Sequence, residues 1–451
     1  MVQNLVQGRV LQCFAALATV FILLLLCLLS LLMLSRGLNL FWPSELVQFR
    51  YQEAEQSIVV SGEIVSRQQL TTQQLAAAGY SPQSDGVRIL LKQGYSGTAV
   101  PTFRWYWQQQ ISDLHYPQEL ALVRHKVLGD IFGTVITQGT TELELQLSSG
   151  KLLRITDNDI DIIIMSNQLN WVARLRTFWQ QGWQFLISEP RDANSAGGIL
   201  PAVVGTVVSV MLMAVLVAPI GIMAGVYLHE YAKDSRLVRF VRLSVHNLAG
   251  VPSIVFGVFG LGFFVYVLGG SIDQLFYAEK LPQPTFGSPG LIWVSLTLAL
   301  LTLPVVIVAT EEGLARIPQS LRLGGHALGA TKAEVLRKLI LPAARPAMIT
   351  GIVLAISRAA GEVAPLIFVG VVKYAPTLPV STEWPFIHIE QQIMSLGFHI
   401  YDVGLHSSNA DAAEPRVYAI ALVLLFIIGS LNLLAMRLRR YYQLKSRDSA
   451  F

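Results

Sequence analysis

The feature that most constrains this chain is a set of six long apolar stretches, which are Cys13–Leu34, Ile199–Leu228, Val245–Leu268, Leu291–Thr310, Ala347–Val371 and Val417–Met436. Each has about the length that a helix needs to cross a hydrocarbon core, roughly 20 residues. Charged residues make up only 14% of the chain, against about 25% in soluble domains, and cannot cover the surface of a soluble protein of this size. The pattern predicts an all-α polytopic membrane protein with six transmembrane helices.

Lysine and arginine are distributed unevenly between these predicted spans. Only Lys280 follows span 3, and only Lys373 and Arg416 follow span 5, whereas the segments after spans 2 and 4 and the C-terminal tail are rich in basic residues. Because basic segments stay in the cytoplasm, this bias predicts that both termini are cytoplasmic. The residues that carry it are Lys233, Arg236, Arg239, Arg242, Arg316, Arg322, Lys332, Arg337, Lys338, Arg345, Arg437, Arg439, Arg440, Lys445 and Arg447.

The large segment between spans 1 and 2 is then predicted to lie outside the cytoplasm, and it has the pattern of a β-rich domain. Ser148-Ser149-Gly150 separates two strand-like runs and is typical of a hairpin turn. Further along, Asn167–Ile187 is rich in tryptophan, which fits either a helix in the membrane interface or an ordinary connector helix. The strand-like runs are Ser57–Val65, Gly86–Lys92, Thr102–Gln108, Asp130–Thr137, Glu142–Leu147 and Lys151–Asp157.

These patterns divide the chain into four predicted regions. No A-x-A cleavage pattern follows Leu34, so residues 1–35 are predicted to be an uncleaved transmembrane anchor. Residues 36–196 form the β-rich periplasmic domain and end in the interfacial helix. Residues 197–440 form the membrane domain with spans 2–6 and a cytoplasmic loop at 311–345, and residues 441–451 form a cytoplasmic tail.

The cytoplasmic loop between spans 4 and 5 carries more pattern than a simple connector. Small residues cluster between Gly324 and Ala330, and such residues allow close approach of a partner's backbone. Thr331 and Glu334 have the spacing of a capping box, which predicts a helix through Ile340. We expect two short helices with a sharp turn, held flat against the membrane, and we expect Pro342 and Pro346 to break the chain before span 5. The alternative is a solvated loop that merely joins two spans.

Arg358 lies near the middle of predicted span 5, where inserting a charged residue costs about 2.5–3.5 kcal/mol. Glu362 follows four residues later, so both side chains would share one helix face. The pair either neutralises itself and joins helices, or Arg358 faces a translocation path and attracts an anion while Glu362 orients it. Ionisable residues inside membranes are usually functional, and arginine matches phosphate geometry, which favours the second interpretation.

Several kinds of chemistry have no support in the sequence. There is no G-x-x-x-x-G-K-[ST] motif for binding a nucleotide, no His/Cys cluster with metal-ligand spacing and no nucleophile elbow. The basic segments lie between spans and lack stacking aromatic residues, so they do not indicate nucleic-acid binding. We therefore expect no catalytic residues, no metal site and no cofactor bound by this chain.

The loop resembles the EAA loop of ABC-importer permeases. Gly329, followed by Leu339, Leu341 and Pro342, has the spacing of that motif. The resemblance implies a type I importer-like fold in which the loop docks into a cleft on a cytoplasmic ATPase. Leu323 stands where the family has the glutamate of the motif. The predicted docking residues are Leu323, Gly324, Gly325, His326, Ala327, Leu328, Gly329, Ala330 and Thr331.

Other segments resemble phosphate-specific permeases of the PstA type. They are Gly197–Ile199 with Pro201-Ala202, Tyr227–Ala232, Asn247–Gly257 and Arg358–Leu366. The resemblance implies a bacterial inner-membrane subunit of an ATP-driven phosphate importer, with a second permease of the PstC type, a dimer of PstB-type ATPases that use ATP and Mg²⁺, and a periplasmic PstS-type binding protein. Phosphate-specific permeases resemble this chain in having such an Arg and Glu, here Arg358 and Glu362, which further favours a place for the pair in the substrate pathway.

Two alternative functions remain at this point. The anion could be another oxyanion, such as sulfate or molybdate. The chain could also be a membrane signalling receptor whose domain 36–196 binds a ligand. Only fifteen residues follow Met436, so we expect that such a receptor would recruit its cytoplasmic output module as a partner.

Overall fold

The computed structural model describes residues 2–448 apart from 54–55, 72, 74–85, 96–102, 139–141, 192–193, 195, 234, 376 and 408–409. The chain forms two compact units, Met1–Gly198 with Val403–Ala419, and Ile199–Asp402 with Ile420–Phe451. In the described residues, six helices are long and apolar enough to cross a membrane: Phe14–Asn39, Leu200–Tyr231, Ser253–Phe276, Leu291–Ala315, Lys332–Ala360 and Ala410–Tyr441.

The first unit contains two long helices and most of the β-structure. The helices are α1 (Val2–Asn39) and α2 (Trp171–Ile187). The strands are β1 (Leu46–Glu53), β2 (Gln56–Gln69), β3 (Val87–Lys92), β4 (Phe103–Trp107), β5 (Ile111–His115), β6 (Leu120–His125), β7 (Gly129–Gln138), β8 (Glu142–Leu147), β9 (Leu152–Thr156), β10 (Ile160–Ile164), β11 (Pro190–Arg191) and β12 (Ala196–Gly197).

Ten of these strands form two antiparallel five-stranded sheets with the orders β4-β3-β2-β1-β5 and β10-β6-β7-β8-β9. Apolar residues alternate along the strands, so one face of each sheet is buried. Leu46 of β1 packs with Leu120 and Ile164 of the second sheet, which joins the two sheets. The predicted hairpin is present: β8 pairs with β9 and Gly150 has a φ of 79° in the turn. The chain as a whole is therefore not all-α, because this β-domain is a substantial part of it.

A partly buried charge cluster, with side chains 15–25% exposed, also links the two sheets. Asp130 of β7 lies 2.5 Å from Nζ of Lys92 on β3 and 3.1 Å from Nε of Arg124 on β6. Burial by itself favours the neutral forms of Asp130 and Lys92, but the neighbouring opposite charges outweigh it. The pKa of the Asp130 carboxyl is consequently held far below its usual range, and the pKa of Lys92 is raised.

The second unit is almost entirely helical. Its helices are α3 (Leu200–Val226), α4 (Arg236–Leu248), α5 (Ser253–Phe259), α6 (Gly270–Phe276), α7 (Leu291–Ala315), α8 (Gln319–Ala327), α9 (Lys332–Val335), α10 (Leu341–Ala360) and α11 (Leu366–Val369), together with the first part of α12 (Leu396–His406) and the C-terminal part of α13 (Ala410–Asp448). Three π-helical segments, Tyr227–Tyr231, Gly260–Gly269 and Leu336–Ile340, continue α3, α5 and α9 without a break.

Helix α7 is the most buried of the candidate spans and packs against both α3 and α10. Its apolar residues surround the helix rather than forming one stripe, as expected for a central span. Thr302 and Thr310 lie fully buried in α7, and each donates its hydroxyl proton to a carbonyl one turn earlier. This local bonding lets two polar residues occupy an apolar core without a penalty for an unsatisfied group.

The predicted start of span 3 at Val245 is wrong. Val245 belongs to α4, a separate amphipathic helix that Ser235 caps by accepting a hydrogen bond from the amide of Val238. The span itself begins at Ser253, directly after Pro252. Proline lacks an amide proton and favours the first turn of a helix, so it separates the two helices, whereas hydropathy alone merged them.

Replacing Asp130 with asparagine tests the charge cluster that links the sheets. Removing Asp130 would leave two partly buried cations without their carboxylate, so we expect Asp130→Asn to accelerate hydrogen exchange in β3, β6 and β7 of the full-length protein. Arg154→Gln, which removes an exposed pair with Glu144, is the matched control and should change little.

The same cluster predicts a pH dependence. Folding lowers the pKa of Asp130, so this carboxyl stabilises the domain fully at any pH above its ordinary pKa of 3.8. The stabilisation is lost as the pH falls through the folded pKa. The pKa of Lys92 is raised, so its stabilising contribution is complete at any pH below its ordinary pKa of 10.5 and is lost only at higher pH. Hydrogen exchange in β7 should therefore accelerate when the pH is lowered below 3.8 in the unsubstituted protein. Asp130→Asn should not show this acceleration.

Candidate functional site

The helix that carries Arg358 ends inside the apolar part of the sequence. Helix α10 stops at Ala360, residues 361–365 are not helical, and α11 occupies only Leu366–Val369. Arg358 is therefore in the last turn of a helix rather than at the middle of one that continues to Val371, as the sequence predicted. Pro365 contributes to the break, because proline lacks an amide proton and disfavours helical backbone at the residue before it. Non-helical backbone at membrane depth is tolerated where protein covers it or where it lines a water-filled cavity.

Arg358 and Glu362 are close together at this break. Nε of Arg358 lies 3.5 Å from Oε1 of Glu362, and the two side chains are 34% and 19% exposed. The sequence placed them on one helix face, but Glu362 follows the helix end. The guanidinium thus keeps a carboxylate partner and an accessible edge, which is the arrangement needed to hold an anion without binding it permanently.

Two neighbouring helices enclose the break. A Cβ atom at Gly257 in α5 would lie 2.6 Å from the Cα of Pro365, and one at Gly397 in α12 would lie 2.7 Å from Cγ2 of Val363. Both distances are shorter than real contacts allow, so only glycine permits this close approach. The backbone next to Glu362 is consequently fixed by packing.

Sequence reasoning missed two polar contacts near this region. Ser357, beside Arg358, donates to Oδ1 of Asn432 in α13 at 2.6 Å. Lys373 lies 3.2 Å from Asp402, a carboxylate of α12 that is only 7% exposed. Each contact joins residues far apart in the chain, so no local spacing could have indicated it. Among the described residues there is no group of three or more His, Cys, Asp or Glu that could hold a metal ion.

The predicted docking segment forms the end of α8 and the turn after it. Leu323 and Leu328 are 66% and 90% exposed, and a Cβ atom at Gly324 would meet open space. Gly325 is the exception, because it is buried against Val335 and Leu339. The remaining residues hold the turn together: His326 and Ala327 end α8, Gly329 has a φ of 81°, the carbonyl of Ala330 lies 3.2 Å from Nδ1 of His326, and Thr331 caps α9.

The capping box predicted for this loop is present. The Thr331 hydroxyl accepts from the Glu334 amide, and the Glu334 carboxylate accepts from the Thr331 amide at 3.0 Å. The expected chain break at Pro342 and Pro346 is wrong, because the helix runs without interruption from Lys332 to Ala360. In a regular helix the ring of Pro342 would clash with the carbonyl four residues earlier, and the wider π turn at Leu336–Ile340 accommodates it.

This continuous helix places the docking loop and Arg358 on one element. It has 29 residues, which corresponds to about 43 Å at 1.5 Å per residue. The turn with the exposed leucines directly precedes its first residue, and Arg358 lies in its last turn. One continuous helix therefore connects the loop to the charged pair.

A second contact ties the loop to the end of span 2. Arg322 in α8 donates to Oε1 of Glu230 at 2.8 Å and to the carbonyl oxygens of Ile317 and Leu314. Lys332 lies over the ring of Tyr231 and donates to the Glu230 carbonyl. The carboxylate of Glu230 is only 10% exposed. From the sequence, Arg322 and Lys332 contribute only to the positive-inside bias. Arg322 and Glu230 are 92 positions apart, so no local spacing indicates their contact.

The chain is similar to known membrane transport proteins. Residues 217–448 match the family model described as the binding-protein-dependent transport system inner membrane component. The chain belongs to this family. It is 32% identical over 269 residues to the phosphate transport system permease protein PstA 1 of Mycobacterium tuberculosis, which covers 60% of this chain and 78% of that protein. PstA of Yersinia pestis is 37% identical over 179 residues, covering 40% and 55% respectively.

Among solved structures, an inward-facing MetNI methionine ABC transporter aligns with 54% of this chain and 95% of its own, with 19% identity and a TM-score of 0.41. The family match and the PstA relatives confirm the predicted resemblance to PstA-type ABC permeases. The chain is a multi-pass inner-membrane transport subunit and not an enzyme. The family match begins at residue 217, so the β-domain lies outside it.

Arg322→Gln tests the contact between the loop and span 2. It would leave the Glu230 carboxylate buried without its cation, a cost of about 3 kcal/mol. Hydrogen exchange in α8 and α9 should accelerate by roughly 100-fold. Arg316→Gln removes an exposed pair with Glu312 in the same loop and should leave exchange unchanged. Equal exchange in both variants would show that the Arg322 contact does not hold the loop.

Proposed function

We propose that this chain is a permease subunit of an ATP-driven importer of inorganic phosphate. The observation that carries the proposal is a half-buried guanidinium at a helix break inside a membrane permease whose relatives are named phosphate transport proteins. Broken helices in transporters mark substrate sites near the bilayer centre. Arginine binds phosphate with two parallel hydrogen bonds.

Arg358 and Glu362 perform complementary tasks in this proposal. The guanidinium lowers the electrostatic barrier to an anion entering a medium of low dielectric constant. Glu362 holds the guanidinium in place from the fixed backbone of the break, and its negative charge weakens the attraction for the anion. Phosphate therefore passes the site rather than remaining bound, as conduction requires.

The loop would couple ATP hydrolysis on a partner ATPase to transport. Leu323, Gly324 and Leu328 present an apolar, sterically open surface, which fits a cleft on a cytoplasmic ATPase. The ATPase dimer, of the PstB type, would bind ATP and Mg²⁺, and this chain would bind neither. Movement of the docked loop would pass through the continuous helix to Arg358 and change the side from which the path is open. A PstC-type permease would form the other half of the path.

The proposed function also implies a membrane topology. With the docking loop and both termini in the cytoplasm, the β-domain lies in the periplasm, on the side from which a PstS-type binding protein delivers phosphate. The positive-inside distribution of lysine and arginine supports this orientation.

Replacing Arg358 tests the substrate assignment. Arg358→Gln leaves a shorter polar side chain and removes the charge, so phosphate uptake at matched protein level should fall at least 10-fold, whereas Arg358→Lys, which keeps the charge, should retain part of the uptake. Leu354→Ala changes an exposed residue of the same helix and should transport normally. Normal uptake by Arg358→Gln would contradict the role of Arg358. Competition by sulfate or molybdate as strong as by unlabelled phosphate would contradict phosphate as the substrate.

Replacing Leu328 tests the docking surface. The side chain makes little contact within this chain, so Leu328→Asp should leave the fold intact and abolish co-purification of the ATPase. Leu152→Asp, at an exposed leucine of the β-domain, should retain the ATPase. Gly325 is unsuitable for this purpose, because any larger residue there would collide with Val335 and disturb the loop itself. Retention of the ATPase by Leu328→Asp would contradict the proposed docking surface.

A further inference from the structure

Helix α2 carries a stripe of tryptophans that the rest of the first unit leaves uncovered. Trp171, Trp179 and Trp183 are 74%, 69% and 63% exposed, and Leu175 lies between them at the same four-residue spacing. Residues four apart lie on one face of a helix, so these side chains form a continuous apolar strip. Tryptophan concentrates at the level of the lipid headgroups, where its ring has apolar surroundings and its N–H is hydrated.

The side of α2 next to this strip is attached to the end of span 1. The ring of Phe41 packs against Phe178 and Phe185, with ring centroids 6.1 and 5.2 Å apart, and the ring of Trp42 also contacts Phe178. These two aromatic residues follow directly after α1, which ends at Asn39. The end of a membrane span lies at the bilayer surface, so α2 is held at that level.

A groove with a volume of about 310 Å³ opens beside this helix. Its lining includes the aromatic residues Trp42 and Tyr116 and the charged residues Glu45, Arg67 and Arg174. Arg174 is paired with Glu45 at 3.6 Å. In the part of the chain that is described, Arg67 has no salt-bridge partner, so the lining carries a net positive charge. Guanidinium groups bind phosphate oxygens in a fixed geometry.

We propose that this groove binds the headgroup of an anionic phospholipid while the tryptophan strip of α2 lies in the surrounding leaflet. The charge of the lining matches a phosphodiester, and the aromatic walls match the glycerol and upper acyl region. The position at the end of span 1 selects a lipid over a soluble anion. Bound in this way, the lipid fixes the β-domain at the membrane surface. The site is separate from Arg358 and does not depend on the transported anion.

Native mass spectrometry of the full-length protein in detergent, with phosphatidylglycerol and phosphatidylcholine added in equal amounts, tests the groove. Each guanidinium near an anionic headgroup contributes about fivefold in affinity, so phosphatidylglycerol should be retained at least 10-fold better. Arg67→Gln with Arg174→Gln should remove this preference. Arg176→Gln, at an exposed position of the same helix, should preserve it.

Two results would overturn the lipid assignment. The preference could survive in the double variant, which would place the lipid elsewhere. Millimolar inorganic phosphate could displace the lipid, which would make the groove a site for a free anion. Failure of phosphate transport by this chain would leave the lipid measurement unaffected, so the two proposals are tested separately.

A spin label tests the tryptophan strip. With Cys13 and Cys27 replaced by serine, Trp179→Cys is labelled in nanodiscs that contain both lipids, and Val127→Cys, in an exposed turn of the β-domain, serves as control. The label at 179 should relax faster with oxygen than with a water-soluble nickel complex, and the label at 127 should show the reverse. Equal access of the nickel complex at both positions would overturn the proposal.

Discussion

The unbroken helix from Lys332 to Ala360 is the element on which the functional account depends. It begins directly after the turn that contains the exposed Leu328 and carries Arg358 in its last turn, so one helix connects the loop to the charged pair. The ion pair between Arg322 and Glu230 ties the loop to the end of span 2. The helix also packs against α7, so it is part of the core of the helical bundle.

The break after Ala360 gives this helix its functional end. An arginine inside a membrane is costly, and here its cost is reduced by Glu362 and by the polar backbone of residues 361–365. Gly257 and Gly397 allow neighbouring helices to close around this segment. In the proposed function, this packing holds the partly exposed guanidinium in a preorganised position, so little free energy is lost to ordering the site when an anion binds.

Sequence patterns predicted much of this architecture. Six spans, the β8–β9 hairpin and the Thr331–Glu334 capping box follow from hydropathy, turn residues and local spacing, because each depends on neighbours in the chain. The start of span 3 and the supposed break at Pro342 were wrong, because apolar content does not reveal Pro252 as a boundary or the π turn that accommodates Pro342. The contacts Arg322–Glu230, Ser357–Asn432 and Lys373–Asp402 join distant residues, and no periodicity indicates them.

The central claim is that the helix transmits force from the loop to the path. Arg337 and Lys338 are exposed residues of its π turn, and two glycines there would cost about 1 kcal/mol each in helix stability. The decisive measurement is phosphate uptake per ATP hydrolysed in proteoliposomes with Arg337→Gly and Lys338→Gly combined. The account predicts that the ATPase stays bound and hydrolyses ATP while uptake per ATP falls several-fold. An unchanged ratio would contradict it.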